Sequence, residues 1–267
     1  PIGRVGSRAY LRLWRGEAWV TDGTPAGTLA LGTPADRAVS SGFVDLEGSA
    51  VFALSDATQR TELWTSDGPP SGTRGTGLAF PLKVFDLTAL GPDLFFWGND
   101  GQTGWQIWTT NGTLGSARRL TGPPGESVGG PLGLPPAFTR LGAAVFFFRE
   151  QRDGSPSLWR TDGTQEGTVR IPDPVVAGVV QRLRAFAAIG RRLVAITGDF
   201  PGDRVRIWVS DGSAGPLSLL RELTAGSRFE EALAGPDDLL ILGRDATGPE
   251  YRLERGDGAL PRSRTLL

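Results

Sequence analysis

"LWRTDGTQEGT", residues 158 to 168, sets an aromatic residue, a carboxylate and two glycines at fixed spacing. The same design returns as "WVTDGTPAGT" from Trp19, "WTSDGPPSGT" from Trp64, "WTTNGTLGSA" from Trp108 and "WVSDGSAGPL" from Trp208. Successive Trp positions lie 45, 44, 51 and 49 residues apart, the period at which four strands make one propeller blade. A worn sixth copy is "YRLERGDGAL", from Tyr251.

A second landmark precedes each motif: a turn and an unbroken apolar run, as in "GSAVFAL" from Gly48, "GPDLFFW" from Gly91, "GAAVFFF" from Gly142 and "GRRLVAI" from Gly190. Short apolar runs bounded by turn formers read as strands buried on both faces. Another short strand lies ahead of each turn: "FVDL", "FDLTAL", "FTRL", "AFAAI" and "EALA". Each repeat is therefore a four-stranded antiparallel meander whose two apolar faces need neighbours. The expectation is an all-β fold, a six-bladed β-propeller in a single domain of residues 1–267. Its blades fall at about 1–33, 42–79, 84–122, 137–172, 182–224 and 228–267.

Strand alternation puts Leu158 and Arg160 on one face and Trp159 on the other. Trp19, Trp64, Trp108, Trp159 and Trp208 read as structural wedges between blades rather than stacking platforms. Asp22, Asp67, Asp162 and Asp211 precede Gly at a chain reversal, where a carboxylate accepts backbone N–H groups. Asn111 stands at the same place without charge, which favours a structural turn over a metal ligand or catalytic acid. The spacing matches neither the EF-hand pattern nor the Gly-rich nonapeptide, so no metal is expected.

The segments "ELWTSDGPPSGT" at 62–73 and "SLWRTDGTQEGT" at 157–168 resemble the ELWxxDGTxxGT repeats of large bacterial proteins, often surface or secreted ones, for which propellers are expected. The turn is similar to the Asp-box hairpins of sialidase-type propellers. The first resemblance implies an extracellular or cell-surface location in a bacterium; it implies no common activity.

Composition narrows the chemistry. The chain has no Cys and no His, which removes disulfides, thiolate nucleophiles, cysteine or histidine metal sites and the Ser-His-Asp relay. With 28 Lys and Arg against 29 Asp and Glu, it lacks the net positive charge of a nucleic-acid binder. No run is apolar enough for membrane insertion. The absence of Met reads as a processed product or a fragment.

In a propeller, ligands meet the face formed by the loops between second and third strands and by the connections between blades. The candidate partner-binding residues are therefore Asp56, Arg60, Asn99, Asp100, Trp105, Glu150, Arg152, Asp153, Asp199, Asp203, Arg204, Arg244 and Asp245. The expected function is a non-catalytic scaffold that contacts another protein, with no cofactor. The alternatives are a glycan-binding lectin and, behind it, a carboxylate-dependent glycoside hydrolase. Tyr10 and Tyr251, the two Tyr residues, stand in no recognisable nucleophile setting.

Overall fold

The computed structural model describes residues 2–113, 115–122, 138–150, 156–198, 205–222, 228–234, 239–244 and 251–256. Among them there is no α-helix; one 3₁₀ turn, Pro70–Gly72, interrupts a fold made of antiparallel strands. The all-β, propeller-like expectation holds at this level.

The chain forms two compact units, Pro1–Pro131 and Leu132–Leu267. The first unit holds three sheets. Strands Ile2–Val5, Arg8–Arg12, Ala18–Thr21 and Leu29–Ala30 make the first. Val44–Leu46, Ser49–Ser55, Thr61–Ser66 and Thr73–Phe80 make the second, to which Ala38–Val39 adds a further edge. Phe85–Leu90, Asp93–Asn99, Trp105–Thr110 and Arg118–Arg119 make the third.

The second unit repeats the pattern. Phe138–Leu141, Ala144–Glu150, Pro156–Thr161 and Val169–Arg170 form the fourth sheet. Arg182–Ile189, Arg192–Gly198, Val205–Ser210 and Ser218–Glu222 form the fifth. Three described strands, Arg228–Ala234, Leu239–Arg244 and Tyr251–Gly256, form the sixth. A two-stranded hairpin, Val175–Val176 with Val179–Val180, lies between the fourth and fifth.

The apolar runs become second strands covered on both sides, which is why their sequence does not alternate. In the second sheet, Ala50, Phe52 and Leu54 pack with Tyr10, Ala18 and Val20 of the first. Val51, Ala53, Leu63 and Phe80 pack with Leu94 and Phe96 of the third. In the second unit, Phe146, Phe148 and Leu158 meet Phe186, Leu193 and Ala195. The opposite face of the fifth sheet gathers Ala187, Ile189, Val194, Ile196 and Ile207.

The motif tryptophans have a direction within this packing. Trp64, Trp108 and Trp208 each join the cluster shared with the preceding sheet, whereas Leu63 and Leu158, one residue before a motif Trp, join the cluster shared with the following one. Coverage is uneven. Trp208 is 4% exposed and donates from Nε1 to Thr197 Oγ1 at 2.9 Å. Trp19, Trp64, Trp108 and Trp159 are half-buried.

Truncation should report this difference. Trp208→Ala is expected to cost about 3–5 kcal/mol in urea unfolding, and Trp19→Ala less than half as much, because only the first leaves a closed cavity.

Candidate functional site

Each sheet has two ends. In the first five sheets Asp-Gly turns, or Asn111-Gly112 in the third, join third to fourth strands at one end; at the other end the second strand runs on towards the third. In the first unit like ends sit together: Val39 N donates to Gly16 O at 2.8 Å across the loop ends. At the turn ends, Arg8 Nη1 donates to the Asp67 carbonyl at 2.5 Å.

The turn ends are chemically closed. Asp162 Oδ1 accepts Thr164 N at 3.0 Å and Thr164 Oγ1 at 2.7 Å; Asp22 Oδ1 accepts Thr24 N at 2.9 Å and its hydroxyl at 2.7 Å. Asn111 Oδ1 takes the same two bonds from Thr113, at 3.1 and 2.7 Å, and Asp211 Oδ1 accepts Ser213 N at 2.9 Å. Asp67 is the exception because Pro69, two residues on, has no N–H; there the 3₁₀ turn takes over, with Gly72 N bonded to Pro69 O at 3.0 Å.

The second glycine of each full motif has a steric cause. A Cβ on Gly167 would stand 2.0 Å from Asp162 Oδ1, and the same clash arises between Gly27 and Asp22 and between Gly72 and Asp67. The carboxylate therefore lies directly against the backbone five residues on. The hydroxyl ahead of the motif carboxylate also takes part: Thr161 Oγ1 accepts Gly163 N at 3.0 Å, and Thr21, Ser66, Thr110 and Ser210 do the same in their turns. Arg160 Nε reaches Gly212 O, in the turn of the next sheet, at 3.0 Å.

These bonds hold the Asp22 and Asp162 carboxyls below the usual range, first through the Thr24 and Thr164 hydroxyls and then through their backbone N–H groups. Asp211 is lowered first by the Ser213 N–H.

The loop ends differ from sheet to sheet. In the second sheet Ser55 Oγ lies 2.7 Å from both Ser40 Oγ and Thr61 Oγ1. In the third, buried Gln106 donates to Thr103 O at 3.0 Å and accepts Thr121 Oγ1 at 2.8 Å. In the fourth, Trp159 Nε1 donates to Ser157 Oγ at 3.0 Å, and the guanidinium of Arg149 stands 5.1 Å from the Trp159 ring centre. In the fifth, buried Arg206 pairs with Glu222 at 2.9 Å and donates to Gln181.

Of the candidate partner residues, Asp56, Arg60, Asn99, Asp100 and Trp105 fall on the loop ends of the first unit. Asp56 caps its own turn, accepting Thr58 N at 2.8 Å, Thr58 Oγ1 at 2.6 Å and Arg60 N at 3.1 Å; its carboxyl is lowered, first by the Thr58 hydroxyl. The Arg60 side chain is exposed. Asn99 Oδ1 accepts Gly101 N at 2.8 Å, and Asp100 Oδ1 accepts Gln102 N at 2.9 Å and Thr103 N at 2.7 Å. Burial pushes Asp100 up, and the donors from Thr103 and Gln102 outweigh it to leave the group low. Trp105, half-buried, tilts against Phe85 with ring centres 5.1 Å apart.

Glu150 and Arg244 end their strands, paired through the backbone with Pro156 and Tyr251. Arg152, Asp153, Asp199, Asp203, Arg204 and Asp245 lie outside the described residues. Among the described residues no three His, Cys, Asp or Glu side chains gather as a metal-ligand set.

Sequence reasoning passed over Trp14. It stands 87% exposed in the loop between second and third strands of the first sheet, beside Leu13, which is 38% exposed. The signal was available in "LRLWRGEAW", a Trp five residues before a motif Trp and flanked by Arg12 and Arg15. The hydroxyl ahead of every motif carboxylate was equally readable in the repeat.

No family model matches the chain, and no curated protein matches it. Solved structures do. Dipeptidyl peptidase 4 of Porphyromonas gingivalis is 10% identical at a TM-score of 0.69, over 100% of this chain and 46% of that one. A prolyl endopeptidase is 14% identical at a TM-score of 0.59, over 99% of this chain and 48% of that one. An oligogalacturonate lyase determined with manganese is 12% identical at a TM-score of 0.57, over 96% and 74%. At these identities the likeness is one of fold, and this chain spans about half the length of the two peptidases.

This overturns the reading of the chain as a non-catalytic scaffold, with its lectin and glycosidase alternatives. The structures that share the fold include several peptidases and a lyase. The non-catalytic expectation rested on loops that differ from blade to blade and on the lack of a convergent catalytic set; the absence of His and Cys excludes certain side chains from these 267 residues and says nothing about residues carried elsewhere in a polypeptide.

Two measurements test the closed turn. Gly167→Ala is expected to destabilise the protein more in the wild type than in an Asp162→Ala background, with a coupling of about 1 kcal/mol in a double-mutant cycle. A carboxyl whose folded pKa is depressed lends stability that is fully present above its unfolded value, about 3.9, and is lost as pH falls through the folded value. Melting temperature should therefore fall on acidification below about pH 4, and less steeply in Asp162→Asn, which keeps the acceptor without the titration.

Proposed function

We propose that this chain is the propeller part of a peptidase-type hydrolase, its six sheets being six blades of one ring. The nucleophile and base that cleave the amide belong to polypeptide outside these 267 residues. The observation that carries this reading is the likeness to peptidases of about twice the matched length, in a chain with neither His nor Cys. The loop ends, whose polar networks differ from sheet to sheet, form the surface offered to substrate, while the turn ends serve the scaffold. The ELWxxDGTxxGT resemblance supports placing this hydrolase at a bacterial surface or in its secretions.

The test treats the mature polypeptide that carries this sequence with fluorogenic peptidyl amides and with a fluorophosphonate probe for activated serine. The expected result is amide cleavage, with the probe attached outside residues 1–267. No cleavage by the whole polypeptide, or a probe attached within 1–267, would overturn the reading.

A further inference from the structure

The loop between strands Arg8–Arg12 and Ala18–Thr21 has no role in the packing described above, yet it is tightly built. Leu13 N donates to Glu17 O at 3.0 Å, Gly16 N donates to Leu13 O at 2.9 Å, and Gly16 O is bonded in turn to Val39 N. Gly16 is buried at a φ of 87°, and a Cβ there would come within 2.4 Å of Ala38 Cβ. The base of the hairpin is thereby fixed and its tip stands clear.

The tip carries Trp14, 87% exposed, with the Arg15 guanidinium 5.2 Å from its ring centre. Leu13 is partly exposed, and Arg12 and Arg15 are exposed on either side. The one acid of the loop, Glu17, accepts Trp19 Nε1 at 3.3 Å and so is engaged with the strand behind the tip. The hydrogen-bonded base thus holds an indole in water beside a second exposed apolar side chain, Leu13, and between two guanidiniums.

We infer that this hairpin is a contact point for an anionic lipid surface. A convex tip suits a deformable surface rather than a small ligand, which needs a concavity. Trp settles at the headgroup level of a bilayer, with its apolar ring inward and its N–H toward water. The two guanidiniums are placed to bond lipid phosphates beside it, and the charge of the tip is complementary to an anionic headgroup layer. The contact is peripheral: among the described residues no helix is long and apolar enough to cross a membrane.

Co-sedimentation of the 267-residue chain with phosphatidylcholine vesicles, with and without about 30% phosphatidylglycerol, tests the inference. Binding is expected with phosphatidylglycerol and should weaken as salt rises from about 0.05 to 0.5 M. Trp14→Ala and Arg12→Ser/Arg15→Ser should each reduce it by about tenfold or more while leaving the melting temperature unchanged. No binding to the anionic vesicles, equal binding to phosphatidylcholine alone, or binding that both variants retain would overturn it.

Discussion

The second and fifth sheets bury apolar side chains on both faces, and that constraint governs the rest. A strand such as Ser49–Ser55, whose Phe52 turns to one neighbour and whose Val51 and Ala53 turn to the other, cannot be buried by its own hairpin. Stability is therefore a property of adjacent pairs of sheets. The motif Trp marks the direction of that pairing, since Trp64, Trp108 and Trp208 all lean onto the sheet before their own.

Sheets that must stack in register need turns that hold their shape without help from solvent or ligand. The Asp-Gly turn meets this need through a carboxylate whose bonds go to its own loop and whose position the second glycine makes sterically possible. Asn111 shows that the acceptor oxygen suffices for the geometry. The described loop ends vary more, their polar groups ranging from the Ser40 and Thr61 hydroxyls around Ser55 to the Arg206–Glu222 pair. A fold organised in this way can change what its loop ends offer without disturbing the turns.

Much of this was legible in the sequence because repetition averages out local noise. The strand order, the buried second strands and the turn at Asp162 follow from period, apolar runs and residue type. The depth of Trp burial was not legible. Trp159 and Trp208 occupy the same motif position, yet one is half-buried and the other 4% exposed, because coverage depends on what the neighbouring sheet presents. Asp56, Asn99 and Asp100 looked available for a partner, but a short loop spends their oxygens on its own N–H groups. Trp14 escaped notice because it lies outside the repeated pattern. The non-catalytic reading failed for a different reason: it took varied loops without a convergent catalytic set as the mark of a scaffold, and those loops belong only to the residues at hand.

A sheet in this protein stands only with its neighbour, and hydrogen exchange after removal of residues 1–33 is the sharpest test of that dependence. The deletion uncovers Ala50, Phe52, Leu54 and Trp64 while leaving the packing between second and third sheets in place. Amides of Ser49–Ser55 and Thr61–Ser66 are expected to lose protection by orders of magnitude while those of Asp93–Asn99 stay slow. Unchanged protection in the second sheet would contradict it.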